Sequence, residues 1–233
     1  MTVLLTNDDG ISAPGLGVLC DVCRSLGIDA ANIHIVAPDQ ELSQSGHRTT
    51  TYSPVQVEQL GEQRHSVSGT PADCVRIAIA HLLPQKPDLV ISGINPGGNM
   101  GHDLHISGTV AATREAAYHG IPGIAISHYR KRDVPLCWET AADRATQVLK
   151  ILIAQTLTDG TFWNVNLPHL PQDAPEPEII FDCPPERQPL PNAFESTEDG
   201  YLYSGDYSQR PHSEGSDVAV CFGGNIAVSR ISV

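Results

Sequence analysis

The chain reads as an α/β protein with a doubly wound, mostly parallel sheet, and three observations predict this. Short apolar runs recur at Val3–Leu5, Ile33–Ala37, Asp88–Ile94, Gly123–Ser127 and Phe162–Leu167. Helical patterns separate many of them, and polar or glycine-rich stretches follow several of them directly. Strands buried on both faces of a parallel sheet have this composition, and such sheets collect their ligands beyond the carboxyl ends of the strands.

The first run ends in Asn7-Asp8-Asp9-Gly10. Two unpaired carboxylates about 4 Å apart repel by roughly 4 kcal/mol at an effective dielectric near 20, so a site that keeps both ionised calls for a cation between them. Asn, Asp and Gly are also common turn residues, and taken alone a solvated turn is the slightly better reading.

Ala13-Pro14-Gly15 then opens a helix with Pro in its first turn and Leu16, Leu19, Cys20 and Cys23 at helical spacing; Gly27 stops it. Ile33–Ala37, ended by Pro38, completes a βαβ unit with a right-handed crossover. The polar stretch 39–51 follows, where Ser43 and Ser45-Gly46 offer hydroxyl and backbone donors beside the first loop. Val55–Val57 and His65–Ser68 alternate as a hairpin. Thr70 is the expected N-cap of a helix striped by Val75, Ala78, Ile79 and Leu82, with Asp73 complementing its dipole.

After the strand ending at Ile94 comes Asn95-Pro96-Gly97-Gly98-Asn99-Met100-Gly101, whose three glycines let backbone N–H groups approach an anion. Ser107-Gly108-Thr109 opens the next helix, and free N–H groups there with two hydroxyls form a phosphate seat. A glycine turn with Ser107 or Thr109 as a simple cap is the bland alternative. His102 and His105 lie close by and read as solvated loop residues. Ala141, Ala145, Val148, Leu149 and Leu152 stripe a long helix. From Pro168 to Pro191 proline recurs and regular elements must be short; the tail runs at Tyr201–Tyr203, Val218–Val220 and Ile226–Ile231 read as a hairpin-rich extension separate from the main sheet. The expected organisation is a catalytic core over 1–167 and an extension over 168–233.

Charge and cysteine usage narrow the function classes. A formal net charge of −13, with only 14 Lys and Arg in 233 residues, argues against sequence-independent binding to a nucleic-acid polymer or an anionic membrane. The start of the chain carries neither a signal-peptide pattern nor a membrane span, so a cytoplasmic location is expected. Six cysteines show no disulfide or zinc spacing, and Cys20-x-x-Cys23 falls inside a helix as packing thiols. Loops at Asp8-Asp9, Ser43, Asn95 and Ser107–Thr109 can converge on one crevice. Two carboxylates, an amide oxygen and a hydroxyl are hard ligands that suit Mg²⁺ or Mn²⁺, and no His or Cys accompanies them to favour zinc.

The stretches Leu4–Ile11 with Ala13-Pro14-Gly15, Val36–Asp39 with Ser43, Ser68–Val75, and Ser92–Asn95 through Ser107–Val110 resemble the SurE family of metal-dependent 5′/3′-nucleotidases. The resemblance implies a Rossmann-like core, a C-terminal extension used in forming a homodimer or dimer of dimers, and hydrolysis of nucleoside monophosphates. It implies that Asp8, Asp9, Ser43 and Asn95 hold one divalent metal ion per subunit, while Asn99, Ser107, Gly108 and Thr109 lie around the phosphate. Asp8 and Asp9 are the catalytic candidates, since either can act on the attacking water as well as on the metal. Ile106 stands where the family usually has Tyr, and Gln44-Ser45-Gly46 replaces a Gly next to the Ser; both departures bear on the substrate range. The competing readings are a nucleotide-binding regulatory module without catalysis, a metal-dependent deacetylase and a phosphoaspartyl phosphatase. The deacetylase calls for histidines beside the carboxylates and the phosphoaspartyl enzyme for Asp-x-Asp, whereas here the two Asp are adjacent.

Overall fold

The computed structural model describes residues 1–131, 134–171 and 174–233. Seven strands come from the first 167 residues: β1 (Val3–Thr6), β2 (Ile33–Pro38), β3 (Val57–Gly61), β4 (Arg64–Val67), β5 (Leu89–Asn95), β6 (Gly123–His128) and β7 (Thr161–Leu167). The tail adds β8 (Ile179–Ile180), β9 (Phe194–Thr197), β10 (Gly200–Tyr203) and β11 (Ile226–Ser232). Nine strands form one sheet in the order β3-β4-β2-β1-β5-β6-β7-β11-β8, and β9 with β10 forms a separate hairpin. The ladder from β4 through β7 is parallel throughout, so one edge gathers every carboxyl end in that run.

Helices cover both faces of the sheet. The alternation of β1 sends Val3 and Leu5 toward α1 (Pro14–Ser25) and α4 (Trp138–Leu152), while Leu4 packs with α2 (Pro71–Ile77) and α3 (Gly108–Tyr118). Successive side chains of a strand point to opposite faces, so a run that is apolar at every position requires a layer on each side. Helix α1 approaches very closely: a Cβ on Gly15 would lie 2.0 Å from the Ile94 carbonyl oxygen, so only glycine fits. Thr70 caps α2 as expected, its hydroxyl accepting from the Asp73 amide. Asp73 does more than offset a dipole, because its carboxylate also accepts from the Thr50 amide (2.9 Å) and hydroxyl (2.8 Å) and so pins the loop after β2.

Three expectations need correction. Val218–Val220 is helical, within α5 (Asp217–Phe222), because Ser216 caps it by accepting from the Ala219 amide; three apolar residues in a row carry no period of their own. Ile226–Ser232 does not stand apart from the main sheet but joins it antiparallel to β7, in register from Ala227 opposite Asn166 to Ser232 opposite Thr161. It covers what would otherwise be an open sheet edge, a choice of partner that alternation along a strand cannot announce. The first hairpin starts two residues later than expected, at Val57, and β3 is exposed along its whole length. The projecting hairpin at 194–203 is present as expected.

Candidate active site

The turn after β1 is built by Asn7, whose amide group bridges Gly10: Nδ2 donates to the Gly10 carbonyl (2.9 Å) and Oδ1 accepts from the Gly10 amide (3.2 Å). This places Asp8 and Asp9 beyond the carboxyl end of β1. Asp8 is buried against the start of α3, where the Thr109 hydroxyl donates to its Oδ1 at 2.5 Å. The amides of Gly108 and Thr109 also favour its charged form, yet burial outweighs them and pushes the carboxyl up. Asp9 is half-buried, and burial, then repulsion from Asp8 and Glu41, pushes it up to about 7. Its Oδ2 is buried without a hydrogen-bond partner. Asp8 and Asp9, the second with an orphaned oxygen, are two adjacent carboxylates that could hold a divalent cation.

The helix start explains the glycine at 108. A Cβ there would lie 2.7 Å from the Asp8 Cβ and 3.0 Å from both Asp8 Oδ2 and Ser45 Oγ. Ser107 caps α3 by accepting from the Val110 amide at 3.1 Å. The loop after β2 closes over this point: the Leu42 amide donates to the Asp8 carbonyl (2.8 Å), and the Gly46 amide donates to the Ile106 carbonyl (2.9 Å). His47 anchors the same loop to α3 through Glu115, 2.7 Å away.

The family described as survival protein SurE matches residues 3–180. The chain belongs to the SurE family. A Nostoc sp. protein carrying the name "Putative 5'-nucleotidase alr3139" is 46% identical over the whole of both chains. The 5′-nucleotidase SurE of Heliobacterium modesticaldum is 37% identical over 99% of this chain and 86% of its own. The crystal structure of the SurE protein from Aquifex aeolicus superimposes with a TM-score of 0.85 at 31% identity, covering all of this chain and 93% of that one. The doubly wound, mostly parallel architecture is therefore the SurE fold.

Within that SurE fold the eight residues singled out from the sequence fare differently. Asp8, Ser107, Gly108 and Thr109 meet in one place, and Asp9 adjoins them. Asn95 ends β5 with its Nδ2 donating to the Gly97 carbonyl (2.8 Å). Ser43 is exposed, its hydroxyl donating to Glu41 (2.8 Å), while Ser45 is the serine whose buried hydroxyl sits by α3 without a partner. Asn99, within the glycine loop, is buried with its Nδ2 donating to the Ser127 hydroxyl (2.7 Å). His102 and His105 are exposed, in keeping with solvated loop residues.

Two supporting networks escaped the sequence reading. Asn166 Oδ1 accepts from the Asn99 amide (2.8 Å), and the Nδ2 groups of Asn164 and Asn166 both donate to the Asn99 carbonyl (2.8 and 3.0 Å), so β7 holds the glycine loop by its backbone. Two asparagines in an apolar strand were the available signal, since buried amides need partners. The second network braces the 3₁₀ turn Gly101–His105 from the tail. Arg210, fully buried, donates to Asp103 at 2.8 Å; the Tyr207 hydroxyl donates to the same oxygen at 2.6 Å; and the Gly101 amide donates to Asp217 at 2.8 Å.

Glu186 completes this brace. Burial alone would push its carboxyl up, but hydrogen bonds from the amides of Gln188, Ser213 and Arg187 prevail and hold it down to about 2. A carboxyl depressed on folding adds stability above its ordinary value near 4.5 and loses it as pH falls toward 2. Glu186→Gln is therefore expected to melt below the parent at pH 7, with the gap closing between pH 4.5 and 2. Thermal unfolding followed by circular dichroism checks this, and a gap independent of pH would refute it.

Proposed function

We propose that the chain is a phosphomonoesterase that hydrolyses nucleoside monophosphates to nucleoside and inorganic phosphate, a 5′/3′-nucleotidase. The observation that carries this reading is the Asp8-Asp9 pair, two adjacent carboxylates held partly out of water against the N-terminus of α3. The 5′-nucleotidase names of the relatives at 37% and 46% identity support the same substrate class.

Asp8, Asp9, Ser43 and Asn95 are the residues that would hold one Mg²⁺ or Mn²⁺ ion. When bound, such an ion polarises a phosphoryl oxygen and lowers the pKa of a water to near neutrality. The chain's own groups do the rest. Asp9, the more exposed of the two carboxylates, takes the proton of the attacking water. Amides and hydroxyls at Ser107, Gly108 and Thr109, with Asn99, orient the phosphate, because phosphoryl transfer depends chiefly on positioning and charge stabilisation. The water oxygen joins phosphorus, the ester P–O bond breaks, and the ribose oxygen leaves and takes a proton from solvent water while the proton held on Asp9 returns to solvent.

Phosphate release from a nucleoside monophosphate is expected to need added Mg²⁺ or Mn²⁺, to stop on chelation and to return when the ion is restored. Release that survives chelation would refute the metal dependence, and tight nucleotide binding without release would favour a regulatory module. A deacetylase is disfavoured because it calls for histidines beside the carboxylates, whereas the side-chain and backbone groups that meet the Asp8 carboxyl belong to Thr109 and Gly108.

The hairpin β9–β10 supports assembly as a homodimer or dimer of dimers. Its apolar side chains stand in solvent, with Phe194 57%, Tyr201 82% and Leu202 62% exposed, and a lone two-stranded ribbon gains little stability until a partner covers it. All six cysteines are free, which suits a reducing, cytoplasmic compartment. No helix among the described residues is long and apolar enough to cross a membrane.

A further inference from the structure

A groove of about 1300 Å³ opens at the carboxyl edge of the sheet, beginning at Pro96, next to Asn95, and running past the residues that follow β6. It does not contain Asp8 or Asp9. Its wall is aromatic: Tyr129 stacks on Phe222 at 4.7 Å between centroids, and Tyr207 lies 6.2 Å from each. Arg130 and Lys131, both exposed, supply cations at the rim.

We propose that this groove is the nucleoside subsite, receiving the base of the substrate while the phosphate lies at Asp8 and the start of α3. The proposal rests on the phosphomonoesterase reading above and names the part of the substrate that this surface selects. Spacing supports it. Strands β1, β5 and β6 are consecutive neighbours, so the groove runs from about one to two strand spacings, roughly 5–10 Å, along the same edge from the end of β1, a span that a nucleoside extending from its phosphate can bridge.

The chemistry fits a base better than a small polyol. Every nucleobase has a π-face that stacks on aromatic side chains whatever its sequence identity, and guanidinium groups stack on the same faces. The platform is rigid, because the Tyr207 hydroxyl is committed to Asp103 and the Arg210 guanidinium lies 4.9 Å from its ring centroid. The groove exceeds the volume of one nucleoside, so the base sits in it with water and without tight edge contacts, which predicts broad base tolerance.

The test compares kcat/KM for adenosine monophosphate with that for glycerol 2-phosphate, in the metal-loaded full chain and in two variants. Phe222→Leu removes part of the aromatic wall, and Ser208→Trp, at an exposed serine lining the groove, fills it without touching the core. The nucleotide-to-glycerophosphate ratio is expected to fall about tenfold in each, the loss of roughly one base-stacking contact. Free adenosine should inhibit wild-type glycerophosphate hydrolysis competitively and lose potency in Ser208→Trp. Ratios within twofold of wild type in both variants, or a fall that appears only with a changed sedimentation coefficient, would overturn the groove assignment while leaving the phosphatase reading standing. A wild-type protein that releases phosphate from neither ester overturns both.

Discussion

Asp9→Asn is expected to lower phosphate release from a nucleoside monophosphate by about 10³-fold or more, roughly 4 kcal/mol of transition-state stabilisation. The substitution removes both the second negative charge that draws a cation into the turn and the oxygen proposed to take the water's proton. Folding should not suffer. Asp9 Oδ2 has no partner to lose, and the charge being removed is repelled by Asp8 and Glu41. Two readouts separate loss of chemistry from loss of structure. Mg²⁺ or Mn²⁺ should raise the melting temperature of the wild type, because an ion that binds only the native state stabilises it by mass action, and this shift should vanish in the variant. The metal-free melting temperature should be unchanged or higher. Near-normal turnover in Asp9→Asn, with the metal-induced shift retained, would remove the residue from the site.

Arg210→Met should destabilise the chain by about 3–5 kcal/mol, the usual cost of leaving one partner of a buried ion pair uncompensated. The guanidinium has no solvent exposure and Asp103 has little, so water cannot replace the 2.8 Å contact. The damage should also reach the site. Asp103 belongs to the 3₁₀ turn that leads into Ser107–Thr109, and the Asp103 carbonyl accepts from the Ser107 amide at 2.9 Å. Urea unfolding gives the free energy, and a loss below about 1 kcal/mol would contradict the assignment. The double change Arg210→Met with Asp103→Leu should recover part of the loss, since an apolar pair is often no worse than the ion pair it replaces. KM for the nucleotide should nevertheless stay raised, because the turn no longer has its polar anchor.

Legibility followed the range of the interaction. The turn at Asn7–Gly10, the Pro start of α1, the Thr70 and Ser107 caps and the strands β1, β2, β5, β6 and β7 are all decided within a few residues by side chains that meet their own backbone or repeat with a fixed period. They could be read directly. Ser43 is singled out as a metal ligand by the resemblance, and that the Ser45 hydroxyl of the same polar loop comes to lie against Gly108 is decided only by the closure of the loop over α3. Asn164 and Asn166 are residues of β7, as their place in an apolar run predicts, but that both donate to the Asn99 carbonyl depends on the glycine loop packing against that strand. The helix at 217–222 is hidden from a local pattern for the same reason, since what stabilises it beyond the Ser216 cap is Asp217 accepting from the amides of Gly101 and Glu186, far away in sequence.

The chain's residues in order therefore settle the fold class, the carboxylate pair and the glycine-rich helix start that faces it, because these depend on periodicity, capping and local charge. Three-dimensional packing alone settles that β11 closes the sheet beside β7, that the tail braces the 3₁₀ turn leading into Ser107–Thr109, and that an aromatic groove opens beside Asn95. Each of these joins residues tens to more than a hundred positions apart, and such contacts depend on which surfaces the folded layers bring together, about which a local pattern of side chains carries no information.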